Sequence, residues 1–196
     1  MSREGNPLFP VFLKLDEIQT VIVGGGNVGL EKLEALLKND PQANVRVVAP
    51  LIKDEIRQLA VTHERIKLIE EKVTHGHLED ADMAILATDD HKLHQELKKW
   101  AKGRHLLMNV ADTPDLCDFY LGSTVKKGDL KIGISTNGKS PTFAKRFREM
   151  LEESLPDETS QLLNRLKGFR DQLKGNFNEK VKKLNELTST LVDHDK

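Results

Sequence analysis

The sequence predicts an α/β fold: a parallel sheet covered by helices on both faces, followed by a small β-ribbon segment and a helical C-terminal segment. Three observations carry this reading. Short, wholly apolar runs alternate with segments of helical periodicity through the first half of the chain, the pattern of strands buried on both faces. One run, Thr20-Val21-Ile22-Val23, passes directly into Gly24-Gly25-Gly26 and then into a helical pattern, as a buried strand entering a tight turn does. From Phe119 the pattern changes to two β-rich runs around a lysine-glycine turn and then to amphipathic helix alone, which marks a second module.

Val11-Phe12-Leu13 reads as a short first strand and residues 20–23 as the next. Val28, Leu30, Leu33, Leu36 and Leu37 then recur at helical spacing up to Asn39-Asp40-Pro41, where proline ends the helix. The alternation continues with strand 45–49, helix 52–61, strands 66–69 and 83–87, helix 91–101 and strand 106–110. Runs 119–125 and 130–134 flank Lys126-Lys127-Gly128-Asp129 and read as antiparallel strands on a turn. Ser140-Pro141 supplies an N-cap and a proline at the first helical position, with Phe143, Phe147, Met150, Leu151 and Leu155 continuing at helical spacing. Two more amphipathic runs, 162–173 and 177–191, are separated at Gly175-Asn176.

Composition narrows the function classes. The 196 residues carry a net charge of −1, which excludes a general nucleic-acid or membrane-surface binder unless charge is segregated locally. Cys117 is the single cysteine, so the chain forms no intrachain disulfide and no thiol zinc site. No run approaches the roughly 20 apolar residues of a membrane span, and no apolar, basic-flanked leader opens the sequence. The expectation is a cytoplasmic protein.

Gly24-Gly25-Gly26-Asn27-Val28-Gly29 satisfies G-x-G-x-x-G between a buried strand and a helix, the context that gives the pattern meaning as a Rossmann dinucleotide turn. Gly24 allows the tight turn, Gly26 lets the backbone approach a pyrophosphate, and Gly29 allows close helix packing. A turn without a ligand has no need of the third glycine. The acidic residue expected about 20 positions on, which would bind the ribose 2′-hydroxyl, is absent from Val45-Arg46-Val47-Val48-Ala49-Pro50. Backbone and apolar contacts around Ala49, Pro50 and Leu51 would hold the adenosine, and the sequence leaves NAD against NADP open.

Ligands of open α/β sheets lie beyond the carboxyl ends of the strands. Thr88-Asp89-Asp90 follows one strand there and Asn109-Val110-Ala111-Asp112 ends another. Thr88 and Asp89 are candidate cofactor contacts, although a Thr-Asp-Asp cluster before a helix is also an ordinary N-cap. Asn109 is a candidate substrate contact. Asp112 stands at a strand end with no helical pattern immediately after it to cap.

Taken together, Val23-Gly24-Gly25-Gly26-x-Val28, Ala87-Thr88-Asp89-Asp90, Asn109-Val110-x-Asp112 and Ser135-Thr136-Asn137-Gly138-Lys139-Ser140-Pro141 resemble, in order and spacing, the precorrin-2 dehydrogenase and sirohydrochlorin ferrochelatase family, which includes the N-terminal module of bacterial siroheme synthase. The resemblance spans roughly residues 7 to 155. It implies a dehydrogenase that passes a hydride from precorrin-2 to NAD⁺, giving sirohydrochlorin, with Fe²⁺ inserted afterwards in bifunctional members. It implies that Asp112 is catalytic, that Asn27, Val28, Pro50 and Leu51 contact NAD, and that Thr136 lies in a substrate-proximal serine-rich loop with Ser140. It also implies a homodimer formed through residues 114 to 148, between an NAD-binding domain at 1–113 and a helical domain at 149–196. The helix start Asn27-Val28-Gly29-Leu30-Glu31-Lys32 departs from the alanine and arginine-lysine pair of many members. The sequence ends at residue 196 without a methyltransferase domain, so methylation is expected from another protein.

The chemistry is coherent with that resemblance. Precorrin-2 is rimmed with carboxylates, and Lys126, Lys127, Lys131, Lys139, Lys145, Arg146 and Arg148 stand between positions 126 and 148 against Asp129 alone. A basic stripe also suits nucleic acid or a solvated face. Its place after a dinucleotide fold and a strand-end aspartate favours the anionic substrate, with Lys139 among its contacts, and no nucleic acid. Oxidation removes a hydride and a proton, and a carboxylate can take the proton. Asp112 could serve as that base or as a transient escort for Fe²⁺, and the sequence does not separate the two. His75 with His77, and His91 with His94, lack a third carboxylate ligand and are not assigned to a metal. Two other readings stay open: a dehydrogenase with a separate chelatase, and a non-catalytic dinucleotide sensor, which usually keeps the strand-end acid absent here and has no use for the basic stripe.

Overall fold

The computed structural model describes residues 5–173 and 177–188. They form two compact units: one spans Phe9–Leu121, and the other joins the residues up to Leu8 with those from Gly122 onward.

The first unit is built on a five-stranded sheet of β1 (Thr20–Val23), β2 (Val45–Val48), β3 (Ile66–Ile69), β4 (Met83–Leu86) and β5 (Leu107–Val110), in the order β3-β2-β1-β4-β5. Every pair is parallel, with Val23 beside Val48 on one side and Leu86 on the other. Strand alternation divides the core between two faces. Ile22, Val47 and Ile85 pack with Leu33, Leu36 and Leu37 of α1 (Asn27–Asn39) and Ile56 of α2 (Asp54–Thr62). Val21, Val23 and Leu86 pack with Leu97 and Ala101 of α3 (His91–Lys102) on the other. The order reverses between β1 and β4, and this switch point is where an open α/β sheet leaves a crevice for ligands.

The second unit is an antiparallel ribbon, β6 (Ser123–Lys127) and β7 (Leu130–Ile134), followed by α4 (Pro141–Ser154), α5 (Thr159–Gln172) and α6 (Phe177–Thr188). Gly128 turns the ribbon at φ +58°, a conformation glycine adopts without steric cost. Buried Val125 of β6 and buried Ala144 of α4 mark the small core. Ser140 caps α4, its Oγ accepting from the Phe143 N–H at 3.2 Å, with Pro141 at the first helical position.

Two sequence expectations differ from the structure. Val11-Phe12-Leu13 joins no strand, and its side chains are exposed; an apolar run becomes a strand only where a neighbour completes its hydrogen bonds. The run expected at 119–125 starts its strand at Ser123, because Phe119 instead packs against the core of the first unit. The Gly175-Asn176 break and the end of the last helix at Leu191 lie outside the described residues. No helix among the described residues is long and apolar enough to cross a membrane.

Candidate functional site

The carboxyl ends of the five strands are tied into one edge. Gly24 N–H donates to the Val48 carbonyl at 3.0 Å, Ala87 N–H to Val23 at 2.7 Å, and Ala111 N–H to Leu86 at 2.9 Å. The glycine turn, Thr88 and Asp112 therefore follow β1, β4 and β5 along a common rim. With strands about 4.8 Å apart, Asp112 lies about two strand spacings from the glycine turn, on the β4 side.

Three of the four glycines of the turn have a steric reason. Gly24 sits at φ +123°, and a Cβ there would overlap the Ala87 carbonyl oxygen. A Cβ on Gly25 would overlap the Leu51 carbonyl oxygen and lie 2.8 Å from the Ile52 Cα, and one on Gly29 would overlap the Gly24 carbonyl oxygen. These three close the turn against β4, against the loop after β2 and against α1. Gly26 is different: nothing lies within 4 Å of a Cβ built on it. It is the N-cap of α1, makes no side-chain cap, and is followed by no acidic residue in the first turn. The first backbone bond of the helix is Leu30 N–H to the Gly26 carbonyl, so the N–H groups of Asn27, Val28 and Gly29 have no partner within the helix. Open space before unpaired donors at the positive end of a helix fits a pyrophosphate, and the residues present fit a dinucleotide.

The loop after β2 borders that turn. Lys53 N–H donates to the Gly25 carbonyl at 3.0 Å, and the Lys53 ammonium donates to Asn27 Oδ1 at 2.9 Å while lying 3.0 Å from Glu55. Pro50 is exposed and Leu51 stands 84% exposed on the same loop, an apolar surface suited to one face of an adenine ring. Lys53 was not singled out from the sequence; its place beside the absent strand-end acid was the available signal.

The cluster after β4 separates into distinct roles. Asp90 is the N-cap of α3, accepting from the N–H groups of Lys92 and Leu93 at 3.0 Å each. Asp89 is exposed. Thr88 Oγ1 lies 2.9 Å from Nε2 of His94, which is fully buried. Burial, followed by the neighbouring His91, pushes the His94 imidazole below its ordinary range against the opposing pull of Asp90 and Asp89, which keeps the ring neutral.

Asn109 and Asp112 part company after β5. Asn109 is buried, its Nδ2 donating to the Phe119 carbonyl at 2.9 Å, so its visible work is to tie the departing chain to the strand. Cys117 assists: its thiol accepts from the Val110 N–H at 3.2 Å and donates to the Val110 carbonyl at 3.3 Å. Burial raises its pKa, which suits this structural clasp. Asp112 is exposed at φ +56°, and among the described residues its carboxylate makes no hydrogen bond or ion pair. Aspartate and asparagine adopt this left-handed conformation more readily than other residues with a side chain, and among the described residues no side-chain cap or brace holds the carboxylate.

In the second unit, Thr136 Oγ1 accepts from the Ser140 N–H at 3.2 Å, and Asn137 and Gly138 follow at φ +53° and +73°. This exposes Lys139 at the head of α4. The basic stripe is partly neutralised: Lys127 pairs with Asp157 at 2.6 Å and Arg148 with Glu152 at 3.2 Å. Lys139, Lys145 and Arg146 are exposed and carry no ion pair among the described residues. Elsewhere, His75 stacks on Trp100 at 5.0 Å and His77 Nδ1 accepts the Thr74 N–H at 3.1 Å.

Comparison with known proteins agrees with this geometry. Residues 11–123 match the family model described as putative NAD(P)-binding, and residues 127–154 match that described as sirohaem biosynthesis protein central. The chain is 36% identical over 166 residues to siroheme synthase of Psychrobacter cryohalolentis, covering 85% of this chain and 31% of the relative. It is 33% identical over 180 residues to siroheme synthase of Tolumonas auensis, covering 92% and 36%. The chain thus spans about a third of the length of these curated relatives. Among solved structures it shares its fold with SirC, a precorrin-2 dehydrogenase, at TM-score 0.67 and 24% identity, covering 92% of this chain and 89% of that one. With its glycine turn at the end of β1 and the switch point between β1 and β4, the chain belongs to the family of putative NAD(P)-binding proteins, and its residues 127–154 are similar to the central segment of sirohaem biosynthesis proteins.

Proposed function

We propose that this chain is a precorrin-2 dehydrogenase of siroheme biosynthesis, which oxidises precorrin-2 to sirohydrochlorin with NAD⁺. The observation that carries the reading is Asp112: a left-handed, exposed carboxylate with no hydrogen bond or ion pair among the described residues, at the β5 end of the rim that carries the glycine turn. The siroheme synthase relatives and the shared fold with SirC support the substrate class.

The dinucleotide, when bound, accepts the hydride. Gly26 and the first-turn N–H groups of α1 would hold its pyrophosphate, Asn27, Val28, Pro50 and Leu51 its adenosine side, and Thr88 and Asp89 its other half. Asp112 takes the proton lost from the tetrapyrrole, so that hydride and proton leave together as the oxidation requires. NAD⁺ is favoured over NADP⁺ because the cations near the β2 edge are engaged: Lys53 with Asn27 and Glu55, Arg57 with Glu70 and Arg46 with Asp80. Substrate carboxylates are assigned to Lys139 and the hydroxyls of Thr136 and Ser140, and Asn109 acts by fixing the strand end. Residues 114–148 would form a homodimer in the cytoplasm, since a two-stranded ribbon gains stability from a partner.

The test is anaerobic mixing of the protein with precorrin-2 and NAD⁺, followed in the tetrapyrrole absorbance. Appearance of the sirohydrochlorin spectrum supports the assignment. An unchanged spectrum with either nicotinamide dinucleotide ends it.

A further inference from the structure

We infer that His94 is a positioning residue of the dinucleotide site, fixing the Thr88 hydroxyl as a hydrogen-bond donor toward an acceptor oxygen of the bound cofactor. The inference rests on reading the glycine turn as that site. Thr88 follows β4 on the same rim, and a Cβ built on Gly24 would lie 3.2 Å from Thr88 Cγ2. The methyl of Thr88 is thus set against the glycine turn while its hydroxyl lies 2.9 Å from His94 Nε2.

His94 occupies the buried stripe of α3 with Leu97 and Ala101, where an apolar residue would serve packing better and carry no desolvation cost. Its Nδ1 is buried and has no hydrogen-bond partner among the described residues. That decides the tautomer. With the proton on Nδ1, a buried N–H would be orphaned, which folded proteins avoid more strictly than an unused acceptor. With the proton on Nε2, the ring donates to Thr88 Oγ1 and only a lone pair goes unused. Thr88 then accepts from His94 and cannot donate to it, so its own proton is free for an acceptor at the crevice. Phosphate, ribose and carboxamide oxygens of a nicotinamide dinucleotide are all such acceptors. A neutral ring is required throughout, and burial together with His91 at a ring-centroid distance of 5.9 Å disfavours its protonation.

The test is NAD⁺ binding to the full chain by calorimetry, with melting temperature recorded for each variant. Thr88→Val keeps the shape and removes the hydroxyl, His94→Leu removes the donor, and His94→Gln restores an amide N–H near the position of Nε2. Thr88→Val and His94→Leu are each expected to weaken binding about five- to tenfold, as loss of one hydrogen bond does. The double variant should be no weaker than either alone, and His94→Gln should recover to within about twofold of wild type. Folded His94→Leu with wild-type affinity, or a double variant in which the two losses multiply, overturns the proposal. If His94→Leu does not fold, Thr88→Val and His94→Gln decide: unchanged affinity in the first, or a full loss in the second, overturns it. Wild-type protein that binds neither NAD⁺ nor NADP⁺ would instead remove the dinucleotide reading on which the proposal stands.

Discussion

Asp112 can be altered so that backbone effects and chemical effects come apart. Its φ of +56° strains a residue with a Cβ by about 1–2 kcal/mol, with aspartate and asparagine least affected. Asp112→Asn therefore keeps both shape and conformation, and since the carboxylate makes no hydrogen bond or ion pair among the described residues, stability should stay within about 0.5 kcal/mol of wild type. Asp112→Gly relieves the strain but adds about 0.5–1 kcal/mol of unfolded-chain entropy, again a small net change. Asp112→Ala has neither relief and should lose about 1 kcal/mol, or about 2–4 °C in melting temperature for a domain of this size. Turnover should respond differently: all three lack the proton acceptor and should fall by about two to four powers of ten, some 3–5 kcal/mol of transition-state free energy. Reduced-nicotinamide formation from precorrin-2 reads the chemistry, and thermal unfolding reads the backbone. A soluble Asp112→Asn protein with wild-type turnover would refute the assignment. A marked loss of stability in that variant would show that the carboxylate braces the fold.

Three further outcomes are expected. Gly26→Asp should abolish NAD⁺ binding while melting near wild type, because its Cβ meets open space and its carboxylate would sit in the pyrophosphate path; Gly25→Ala, which overlaps the Leu51 carbonyl, should instead destabilise, and equal effects of the two on stability would contradict the steric reading. NADP⁺ should bind about two- to fivefold more weakly than NAD⁺ by calorimetry, since its phosphate must compete with Glu55 for Lys53 in a partly exposed pair worth about 0–1 kcal/mol; equal affinities would reject that assignment. His94 faces His91, Asp89 and Asp90, and its folded pKa lies below the ordinary 6.5, so the unfolded chain binds more protons and stability falls as pH drops through about 6.5 toward the folded value. His94→Gln should flatten that slope, and a chemical-denaturation series between pH 7.5 and about 5.5 with the same slope in both proteins would refute it.

The parallel sheet was legible because strands buried on both faces have to be apolar throughout, and the bounds expected for 66–69 and 130–134 are those observed. The glycine turn was legible because Gly24, Gly25 and Gly29 are dictated by backbone overlaps, while Gly26 faces open space. Less was legible where one residue type serves two purposes. Thr88-Asp89-Asp90 reads equally as a cap and a ligand cluster, and only the bonds from Lys92 and Leu93 to Asp90 show which residue caps. The sequence pairs His94 with His91 and assigns neither to a metal, while its spacing to Leu97 and Ala101 follows the buried stripe of α3. Val11-Phe12-Leu13 has strand composition without a strand neighbour, which no local pattern reveals.

The most direct measurement is the stoichiometry of one anaerobic reaction of protein, precorrin-2 and NAD⁺, with tetrapyrrole and reduced nicotinamide followed together. One sirohydrochlorin should appear for each NADH, at a rate that Gly26→Asp and Asp112→Asn each reduce by at least about a hundredfold. Sirohydrochlorin formed without NADH, or no conversion at all by the wild-type chain, would contradict the assignment of this protein as the dehydrogenase.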